Sequence, residues 1–353
     1  TKKDFNLNSP KQLSEILYED MKYPVLKKTP KGAPSTDASV LEELSKSHEL
    51  PKLILKYREY EKLRSTYIEG LKNEVVKNRV HTSYNLFGTT TGRLSSEKPN
   101  LQNIPNKTDM GQRIREFFIA DSKHVFVIAD YSQIELRVLA HLSNDKSMID
   151  MLQNRESDIH SETASKIFQT NIESVTKDMR RKAKEVNFGL IYGMESFGLS
   201  KSLNISKKEA EELIEAYFSQ FPKIKGFLDK IVDDATTNTF TETLYGRKRY
   251  IKELASSNFQ LKAMGKRIAM NAPIQGTASD IMKIAMIKLN KEIQKIKSTD
   301  LLLQIHDEII IQTPKESANK VSKIVKKEME GASKLKVPLF VDIKENINLS
   351  NLN

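Results

Sequence analysis

Two acidic residues stand where apolar stretches of the sequence end, a position that suits metal-dependent chemistry. Asp130 follows the β-branched run 125–129, which is too short for a helix and predicts a buried strand. Asp307 lies next to His306 inside the apolar segment 301–311. Charged and polar side chains inside an apolar segment are costly to bury without partners. We therefore predict a β-hairpin with His306 and Asp307 in its turn. Two carboxylates brought together in this way predict a site for hard divalent cations such as magnesium, which can support phosphoryl transfer.

Asp130 alone is explained equally well as an ordinary turn residue, since aspartate is a common turn former. The second strand-borne acid, Asp307, favours the metal site. Beyond Asp130, apolar residues recur at roughly helical spacing, and Ser132 is a candidate cap for the helix that they predict.

A second group of candidate functional residues lies on the helix predicted for residues 176–194. Side chains four residues apart stay on one slowly rotating face of a helix. An ordinary amphipathic helix with solvated cations and buried rings is the alternative to a nucleotide site, but Gly189 and Gly193 leave one side of this face without bulk. The face carries two cations, which suit a triphosphate, and two aromatic rings, which suit a base or sugar: Arg180, Lys184, Phe188 and Tyr192.

The segment 81–118 is rich in Thr, Ser, Asn, Gln, Arg and Gly, and we predict a long polar loop. Loops of this length without a function are uncommon in compact domains. Arg93, Gln102 and Asn103 offer forked donors and amides, which suit groove edges and phosphates better than a core. His160 is explained equally well as a surface or helix-capping residue and as a ligand-binding residue.

The composition favours a polyanionic partner. The 353 residues include 57 Lys and Arg against 46 Asp and Glu, which gives a net charge of +11 and a pI near 9.3. The absence of cysteine excludes disulfides and thiolate metal sites, and no apolar run approaches the length of a membrane span. The chain begins at Thr1, in what we take to be the middle of a longer polypeptide. One predicted helix carries five cations that suit a phosphate backbone: Lys52, Lys56, Arg58, Lys62 and Arg64.

The remaining elements are predicted from periodicity and turn residues, and they contain no internal repeat. We expect a helix within 5–23 that starts at Ser9 or Pro10, and further helices from Pro51 to about Leu71, over 206–234 with a break at Pro222, and over 315–329. A helix over 259–296 is expected to be interrupted by Pro273 and Gly276. We also expect a loop over 27–39, a hairpin over 239–251 and a last strand around 339–343.

The order and spacing of these motifs resemble the polymerase region of the family A DNA polymerases, the bacterial DNA polymerase I type. DYSQIELR at 130–137, RKAKEVNFGLIYG ending at Gly193 and HDE at 306–308 are similar to motifs A, B and C of that family. Linking segments agree as well, among them TGRLSS at 91–96, DIHSETAS at 158–165 and YGRKRY at 245–250. Two departures are Lys107, where many relatives have Arg, and Ser279, where Ala is usual.

The resemblance implies an α+β, right-hand polymerase fold with an antiparallel palm sheet and largely helical fingers and thumb. It implies a partial thumb in residues 1–70, a first palm segment in 71–140, fingers in 141–290 and a second palm segment in 291–353. It also implies a template-directed DNA polymerase, used in replication or repair, with primer–template DNA and deoxynucleoside triphosphates as partners.

Roles for individual residues follow from the resemblance alone. Two magnesium ions would be held by Asp130, Asp307 and the carbonyl of Tyr131, with Glu308 nearby, and Lys184 would give a proton to the leaving pyrophosphate. Glu135 would exclude a 2′-hydroxyl. The nucleotide would be bound by Arg180, Lys184, Phe188, Tyr192, His160, Gln133 and Glu135, and the primer–template by Arg93, Gln102, Asn103, Lys107, Arg267, Asn271, Gln275 and His306.

Two alternatives stay open at this point. A single-subunit RNA polymerase shares the palm chemistry, although Glu135 beside Gln133 is more typical of the DNA enzyme. A catalytically silent nucleic-acid-binding protein is the other alternative, and the intact pair Asp130 and Asp307 argues against it. We expect a monomer without membrane association in a bacterial cytoplasm, with an organellar or viral origin left open.

Overall fold

The structure, a computed structural model, describes residues 3–106 and 108–350. The chain divides into two compact units, Thr1–His81 and Thr82–Asn353. Within the described ranges, no helix combines the length and the apolar character needed to cross a membrane.

The first unit is helical and packs around a small apolar core that includes Leu17, Leu41 and Ile54. Its first helix begins at Pro10, as predicted, because the side chain of Ser9 accepts a hydrogen bond from a backbone N–H of the first turn. The elements are α1 (Pro10–Ser14), continued by a π-helical stretch (Glu15–Asp20), α2 (Ala38–Ser45), α3 (Glu49–Lys62), continued by a second π-helical stretch (Leu63–Glu69), α4 (Gly70–Asn73), and the antiparallel pair β1 (Val75–Val76) and β2 (Arg79–Val80).

The five cations predicted to suit a phosphate backbone divide into two groups. Arg58 donates a hydrogen bond to the Thr36 carbonyl at 2.6 Å, and Arg64 pairs with the carboxylates of Glu61 and Glu69. These two arginines therefore already have partners within the first unit. The lysines of the group are exposed: Lys52, Lys56 and Lys62.

The second unit combines antiparallel strands with α-helices. Its strands are β3 (Ser83–Asn85), β4 (Ser95–Glu97), β5 (His124–Tyr131), β6 (Phe240–Glu242), β7 (Lys248–Tyr250), β8 (Asp300–Ile305), β9 (Glu308–Pro314) and β10 (Val341–Asn346). Its helices are α5 (Asp109–Glu116), α6 (Ile134–Ser143), α7 (Lys146–Met151), α8 (Ile159–Ile167), α9 (Lys177–Ile191), α10 (Ser196–Leu203), α11 (Lys207–Gln220), α12 (Pro222–Asn238), α13 (Phe259–Ile293) and α14 (Ala318–Glu330).

A four-stranded antiparallel sheet in the order β10-β5-β9-β8 forms the centre of the second unit. The apolar run that predicted the β5 strand is buried, with Val127 and Ala129 fully covered. The predicted acidic hairpin is confirmed, because β8 ends at Ile305, β9 begins at Glu308, and His306 takes a left-handed backbone conformation with φ of 55° in the turn between them. The α+β class is confirmed with it.

The prediction that Ser132 caps the next helix is wrong. The residue before α6 is Gln133, which has a left-handed conformation and makes no side-chain capping hydrogen bond. The Ser132 hydroxyl instead donates to the carboxylate of Asp342 on β10. An ionised acceptor on a neighbouring strand makes a stronger hydrogen bond than a neutral backbone partner, and sequence spacing does not reveal it.

The predicted interruption at Pro273 and Gly276 is also wrong, since α13 runs unbroken from Phe259 to Ile293. Proline removes one backbone hydrogen bond from a helix and normally kinks or ends it. Here Pro273 and Gly276 are buried, and Ile274 and Ile281 belong to the main hydrophobic core. Packing on this core compensates for the lost hydrogen bond.

The structure differs from the sequence predictions at three further places. The polar segment 81–118 is not a single loop, because it contains the pair β3 and β4 and the helix α5. Helix α7 was not predicted, and the last strand begins at Val341, two residues later than expected. The predicted break at Pro222 and the hairpin over 239–251 are confirmed.

Arg137 ties α6 to two other segments, and its loss is expected to destabilise the protein strongly. The buried guanidinium donates to the carbonyls of Ser132 (2.8 Å), Leu152 (2.9 Å) and Pro338 (2.8 Å). Arg137→Met leaves those carbonyls without a donor, so we expect the free energy of unfolding to fall by about 3 kcal/mol or more.

Denaturant unfolding monitored by circular dichroism measures this change. Arg181→Met is the matched control, because Arg181 makes an exposed ion pair with Asp178, and such pairs contribute about 0–1 kcal/mol. Equal destabilisation by the two substitutions would contradict the role assigned to Arg137.

Candidate active site

The strands of the central sheet bring four carboxylates to one end of it. Asp130, near the end of β5, is directly opposite Glu308 on β9 and Asp342 on β10. The backbone N–H of Tyr131 donates to the carbonyl of Asp307 at 3.0 Å, which fixes the hairpin turn beside the end of β5. The two acids singled out from the sequence, 177 residues apart along the chain (307 minus 130), are therefore neighbours in space.

Negative charge at this end of the sheet is only partly compensated. Partial burial, followed by the charges of Glu308, Asp307 and Asp342, raises the pKa of Asp130 to about 7. Burial also raises the pKa of the Asp307 carboxyl, and the positive charge of Arg93 opposes that rise. Carboxylates under this mutual repulsion gain from a bound cation.

The donor set fits magnesium on chemical grounds. Within residues 3–106 and 108–350, no group of three or more Asp, Glu or His side chains could by itself hold a metal ion. Magnesium does not require such a cage, because it is usually bound by one or two carboxylates together with waters and substrate phosphates. Asp130, Asp307 and the Tyr131 carbonyl would supply hard oxygen ligands of that kind.

Glu135 is held in a fixed position beside the carboxylates. Its side chain is 6% exposed, and it accepts hydrogen bonds from Arg93 Nη2 at 2.8 Å and from the Tyr192 hydroxyl at 2.8 Å. The same Arg93 nitrogen lies 3.4 Å from Asp307 Oδ1. One guanidinium thus links Glu135 to the acidic hairpin, and the tyrosine at the end of α9 is tied to α6.

Arg247, which was not among the predicted site residues, holds the loop that carries Arg93. Its guanidinium donates to the carbonyls of Thr91 at 2.6 Å and Gly276 at 2.8 Å, and it pairs with Asp280 at 2.9 Å. A side chain at the intervening Gly92, whose φ is 80°, would collide with this guanidinium. The signal for Arg247 was present in the sequence as the first arginine of YGRKRY.

Arg115 is a second functional candidate that sequence reasoning missed. It is almost fully buried and donates to the Leu349 carbonyl at 2.6 Å, while its other end lies 3.4 Å from Glu308 Oε1. Its positive charge opposes the rise in the pKa of Glu308 that burial causes. Arg115 has no motif of its own, so only the folded contact identifies it.

Helices α8 and α9 bring two of the predicted nucleotide-binding residues, His160 and Phe188, into contact. The ring centroids of His160 and Phe188 are 5.5 Å apart. Arg180 Nε donates to Asp158 Oδ2 at 2.6 Å, while Lys184 is exposed. The face of cations and rings predicted from four-residue spacing therefore exists on α9, with Asp158 as an unpredicted partner of its first cation.

The predicted primer–template residues have varied surroundings. Gln102 is buried, and its amide donates to the Gln304 side chain at 3.0 Å. The side chain of Gln275 hydrogen-bonds Glu135. The Asn271 amide nitrogen is buried and has no hydrogen-bond partner in the part of the chain that the structure describes. Asn103, Arg267 and His306 are exposed, and the predicted contact Lys107 lies outside the described residues.

Comparison with known proteins gives one consistent result. The model of the family described as DNA polymerase family A matches residues 1–350. DNA polymerase I of Caldicellulosiruptor bescii is 52% identical over 350 residues, which are 98% of this chain and 41% of that protein. DNA polymerase I of Geobacillus stearothermophilus is 48% identical over 343 residues, which are 96% of this chain and 39% of that protein. The chain therefore spans about two fifths of the length of these relatives.

A solved structure agrees with the family match. The POL domain of Pol1 from M. smegmatis, in complex with DNA primer–template and dNTP, superposes with a TM-score of 0.93 at 40% sequence identity. The superposition covers 98% of this chain and 62% of that one. The second unit's sheet and helices thus belong to a fold that a solved polymerase domain shares.

Proposed function

We propose that this chain, which belongs to DNA polymerase family A, is a template-directed DNA polymerase. It would add deoxynucleoside triphosphates to a primer 3′-hydroxyl and release pyrophosphate. The observation that carries the proposal is the meeting of Asp130 and Asp307 at one end of the sheet, next to Arg93 and Glu135. Phosphoryl transfer requires little covalent chemistry from the protein. It depends on the positioning of the reacting groups and on the stabilisation of charge. A rigidly held pair of carboxylates, one on a strand and one in a hairpin turn, is suited to both.

Asp130, Asp307 and the Tyr131 carbonyl would hold two magnesium ions. When bound, these ions would stabilise the attacking and leaving oxygens of the transfer. The role of the protein is to hold the ligands in place: strand pairing fixes Asp130, and the hydrogen bond from the Tyr131 N–H fixes the hairpin that carries Asp307. Glu308, paired with Arg115, would stay close to the site without needing to be a ligand.

Helix α9 would bind the incoming nucleotide. Arg180 and Lys184, with His160 from α8, would contact the triphosphate, and Lys184 would donate a proton to the leaving pyrophosphate. The rings of Phe188 and Tyr192 would border the sugar and base. Gln133 and Glu135 at the start of α6 would complete the pocket.

The remaining proposals concern the organisation of the chain. Residues 1–70 would form part of a thumb, 71–140 and 291–353 a palm, and 141–290 the fingers. The solved polymerase domain similar to this chain was obtained with primer–template and dNTP, which supports the same partners here. We propose that the protein acts as a monomer in the bacterial cytoplasm, in replication or repair.

Primer extension by the purified chain, with deoxy- and ribonucleotides supplied separately, tests this function against its alternatives. A DNA polymerase extends the primer with deoxynucleotides and discriminates against ribonucleotides. An RNA polymerase-like enzyme would show the opposite preference. A silent nucleic-acid-binding protein would bind the duplex and extend with neither.

Glu135→Ala is expected to relax the rejection of ribonucleotides. The Glu135 side chain is fixed by Arg93 and Tyr192, so its bulk is available to exclude a 2′-hydroxyl. Removing the bulk should raise the ribonucleotide-to-deoxynucleotide incorporation ratio by about tenfold or more, since one steric conflict of about 1.4 kcal/mol corresponds to a factor of ten. Single-nucleotide incorporation measures the ratio.

Glu135→Gln is the matched control, because it keeps the size of the side chain and removes its charge. If exclusion is steric, this variant retains most of the discrimination. Equal relaxation by both variants would indicate that charge, rather than bulk, rejects the ribonucleotide.

Affinity for primer–template DNA is expected to fall steeply with salt, because cations that bind phosphates release counterions. The exposed lysines of α3 are candidates for such binding. Replacing Lys52, Lys56 and Lys62 together with Gln should reduce the slope of log affinity against log salt by up to about 2.7, at about 0.9 for each phosphate that is no longer neutralised. Fluorescence anisotropy at several salt concentrations measures the slope.

The control variant Lys207→Gln/Lys208→Gln removes two exposed cations of α11, which lie near Glu211 and Glu212. It should leave the salt dependence unchanged. A slope that is flat in the parent protein, or reduced equally by both variants, would mean that the net positive charge is spread over surfaces that do not bind DNA.

A further inference from the structure

Two buried polar side chains hold the His160 ring, and neither was among the predicted site residues. The Asn187 amide nitrogen lies 3.1 Å from His160 Nδ1 and 3.1 Å from Thr163 Oγ1. Asn187 and Thr163 are fully buried, and His160 is 5% exposed. Asn187 and Thr163 are shut away from water between α8 and α9, so their polar atoms must find partners within the protein, and the protons between them and His160 Nδ1 can be assigned.

The Thr163 hydroxyl determines the orientation of Asn187. Its single proton is donated to the Ile159 carbonyl at 2.7 Å, so toward Asn187 the hydroxyl can only accept. Both ends of the Asn187 amide lie near this hydroxyl, the nitrogen at 3.1 Å and the carbonyl oxygen at 3.4 Å, and only the NH2 can donate to it. This fixes the orientation of an amide that could otherwise be placed either way round.

The orientation of Asn187 then fixes the protonation of His160. One amide hydrogen goes to Thr163 Oγ1, and the other points to His160 Nδ1. Because an amide nitrogen cannot accept a hydrogen bond, Nδ1 must be the bare, accepting nitrogen. In a neutral imidazole the proton is then on Nε2.

We propose that Thr163 and Asn187 lock His160 in the neutral tautomer protonated on Nε2, so that the ring offers Nε2–H as a hydrogen-bond donor to the triphosphate of the incoming nucleotide. The choice of ligand rests on the proposed polymerase function, whereas the tautomer rests on the contacts alone. Thr163 and Asn187 are positioning residues, since both act through His160.

Other features of the site agree with a neutral donor. Within the described residues, Nε2 has no hydrogen-bond partner, so its proton is available to a ligand. Burial, and to a smaller extent the charges of Arg180 and Lys184, lower the pKa of His160 to about 4, against the opposing effect of Asp158. Two neighbouring cations supply charge for a triphosphate, and the ring adds a directional hydrogen bond without a third charge that they would repel.

The ring is also prevented from turning over. Phe188 lies against it with ring centroids 5.5 Å apart and planes inclined by 54°. A flipped ring would place the carbon Cδ2, which cannot accept a hydrogen bond, against the Asn187 NH2, so the hydrogen bond to Nδ1 would be lost. Packing and hydrogen bonding therefore select the same orientation.

The tautomer is measured directly by ¹⁵N NMR of the full chain carrying ¹⁵N-histidine, because protonated and bare ring nitrogens resonate far apart. His160→Gln identifies the His160 signals. We expect Nε2 protonated and Nδ1 bare at neutral pH. Asn187→Asp replaces the donor with a carboxylate that can only accept, so it should move a proton onto Nδ1. Nδ1 protonated in the parent protein, or Asn187→Asp without effect on the ring, would overturn the lock.

A pair of substitutions at Thr163 tests the link to nucleotide binding without adding charge. Thr163→Val removes the hydroxyl that orients Asn187, and Thr163→Ser retains it. In single-nucleotide incorporation, Thr163→Val should raise the KM for the deoxynucleotide about tenfold, the effect of losing one hydrogen bond to a charged ligand, with a smaller change in kcat. Thr163→Ser should keep both the KM and the His160 tautomer of the parent protein.

Thr299→Val is the control for the loss of a buried hydroxyl. Thr299 Oγ1 pairs with Thr313 Oγ1 at 2.8 Å beside the β8–β9 hairpin, far along the chain from His160. It should change neither the His160 signals nor the KM. Equal increases in KM for Thr163→Val and Thr299→Val would show that Thr163 has only a structural role and would overturn the proposal.

The two measurements separate this inference from the proposed function. If the ring carries its proton on Nε2 but the parent protein extends no primer, the polymerase assignment and the triphosphate ligand fail while the tautomer assignment stands. If extension is normal but Nδ1 carries the proton, the lock fails while the polymerase assignment stands.

Discussion

Asp130→Ala and Asp307→Ala are each expected to abolish primer extension while primer–template binding survives. Both carboxylates end up at one end of the sheet, where burial and neighbouring acids raise the pKa of Asp130 to about 7. A site that concentrates charge in this way is matched to divalent cations, and removal of one ligand leaves the cations poorly held. If several kcal/mol of transition-state stabilisation is lost, the rate of extension falls by about a thousandfold or more.

Asp342→Ala is the matched control for this pair. Asp342 also lies opposite Asp130, but its side chain is 64% exposed. Its carboxylate already accepts a hydrogen bond from Ser132 and pairs with Arg155. We expect this variant to retain extension within about tenfold, since exposed ion pairs contribute little. Rates come from single-turnover extension and affinity from anisotropy. Near-normal extension by Asp130→Ala or Asp307→Ala would refute the assignment of the metal ligands.

Phe188→Tyr is expected to increase the use of dideoxynucleotides about 5- to 150-fold, which corresponds to about 1–3 kcal/mol for a hydrogen bond in a dry pocket. Phe188 follows Lys184 by one turn of α9, so when Lys184 contacts phosphate the ring lies near the 3′ side of the sugar. Phenylalanine has no hydroxyl that could replace a missing 3′-hydroxyl. The contact between Phe188 and His160 supports this placement, because it puts the ring beside the proposed triphosphate site.

Single-nucleotide incorporation of deoxy- and dideoxynucleotides measures the change. Phe197→Tyr serves as the control, since Phe197 is a 66% exposed ring on the following helix, α10. It should leave the discrimination unaltered. If Phe188→Tyr has no effect on dideoxynucleotide use, the ring does not face the sugar and the proposed placement of α9 in the nucleotide site is wrong.

The acidic residues could be found from the sequence because local patterns determine their surroundings. A β-branched run predicts the β5 strand, and polar residues inside an apolar segment require a turn at His306 and Asp307. The spacing of α9 likewise follows from helix geometry alone. These features need no knowledge of distant parts of the chain.

The features that sequence reasoning missed depend on partners far away in the chain. Ser132 bonds Asp342 instead of capping a helix, and α13 continues through Pro273 because the core packs around it. The polar segment 81–118 gains strands because its side chains find distant partners, as Tyr84 does with the backbone of Gln304 at 2.9 Å. The three-residue group around His160 spans two helices and has no motif that would reveal it.

Single-nucleotide incorporation on four primer–templates that differ only in the templating base is the decisive measurement of template-directed synthesis. With magnesium and each deoxynucleotide supplied singly, we expect extension by the complementary nucleotide in each of the four cases, with one pyrophosphate released per addition. Incorporation that ignores the templating base, or tight primer–template binding with no incorporation by the purified chain, would contradict the proposed function.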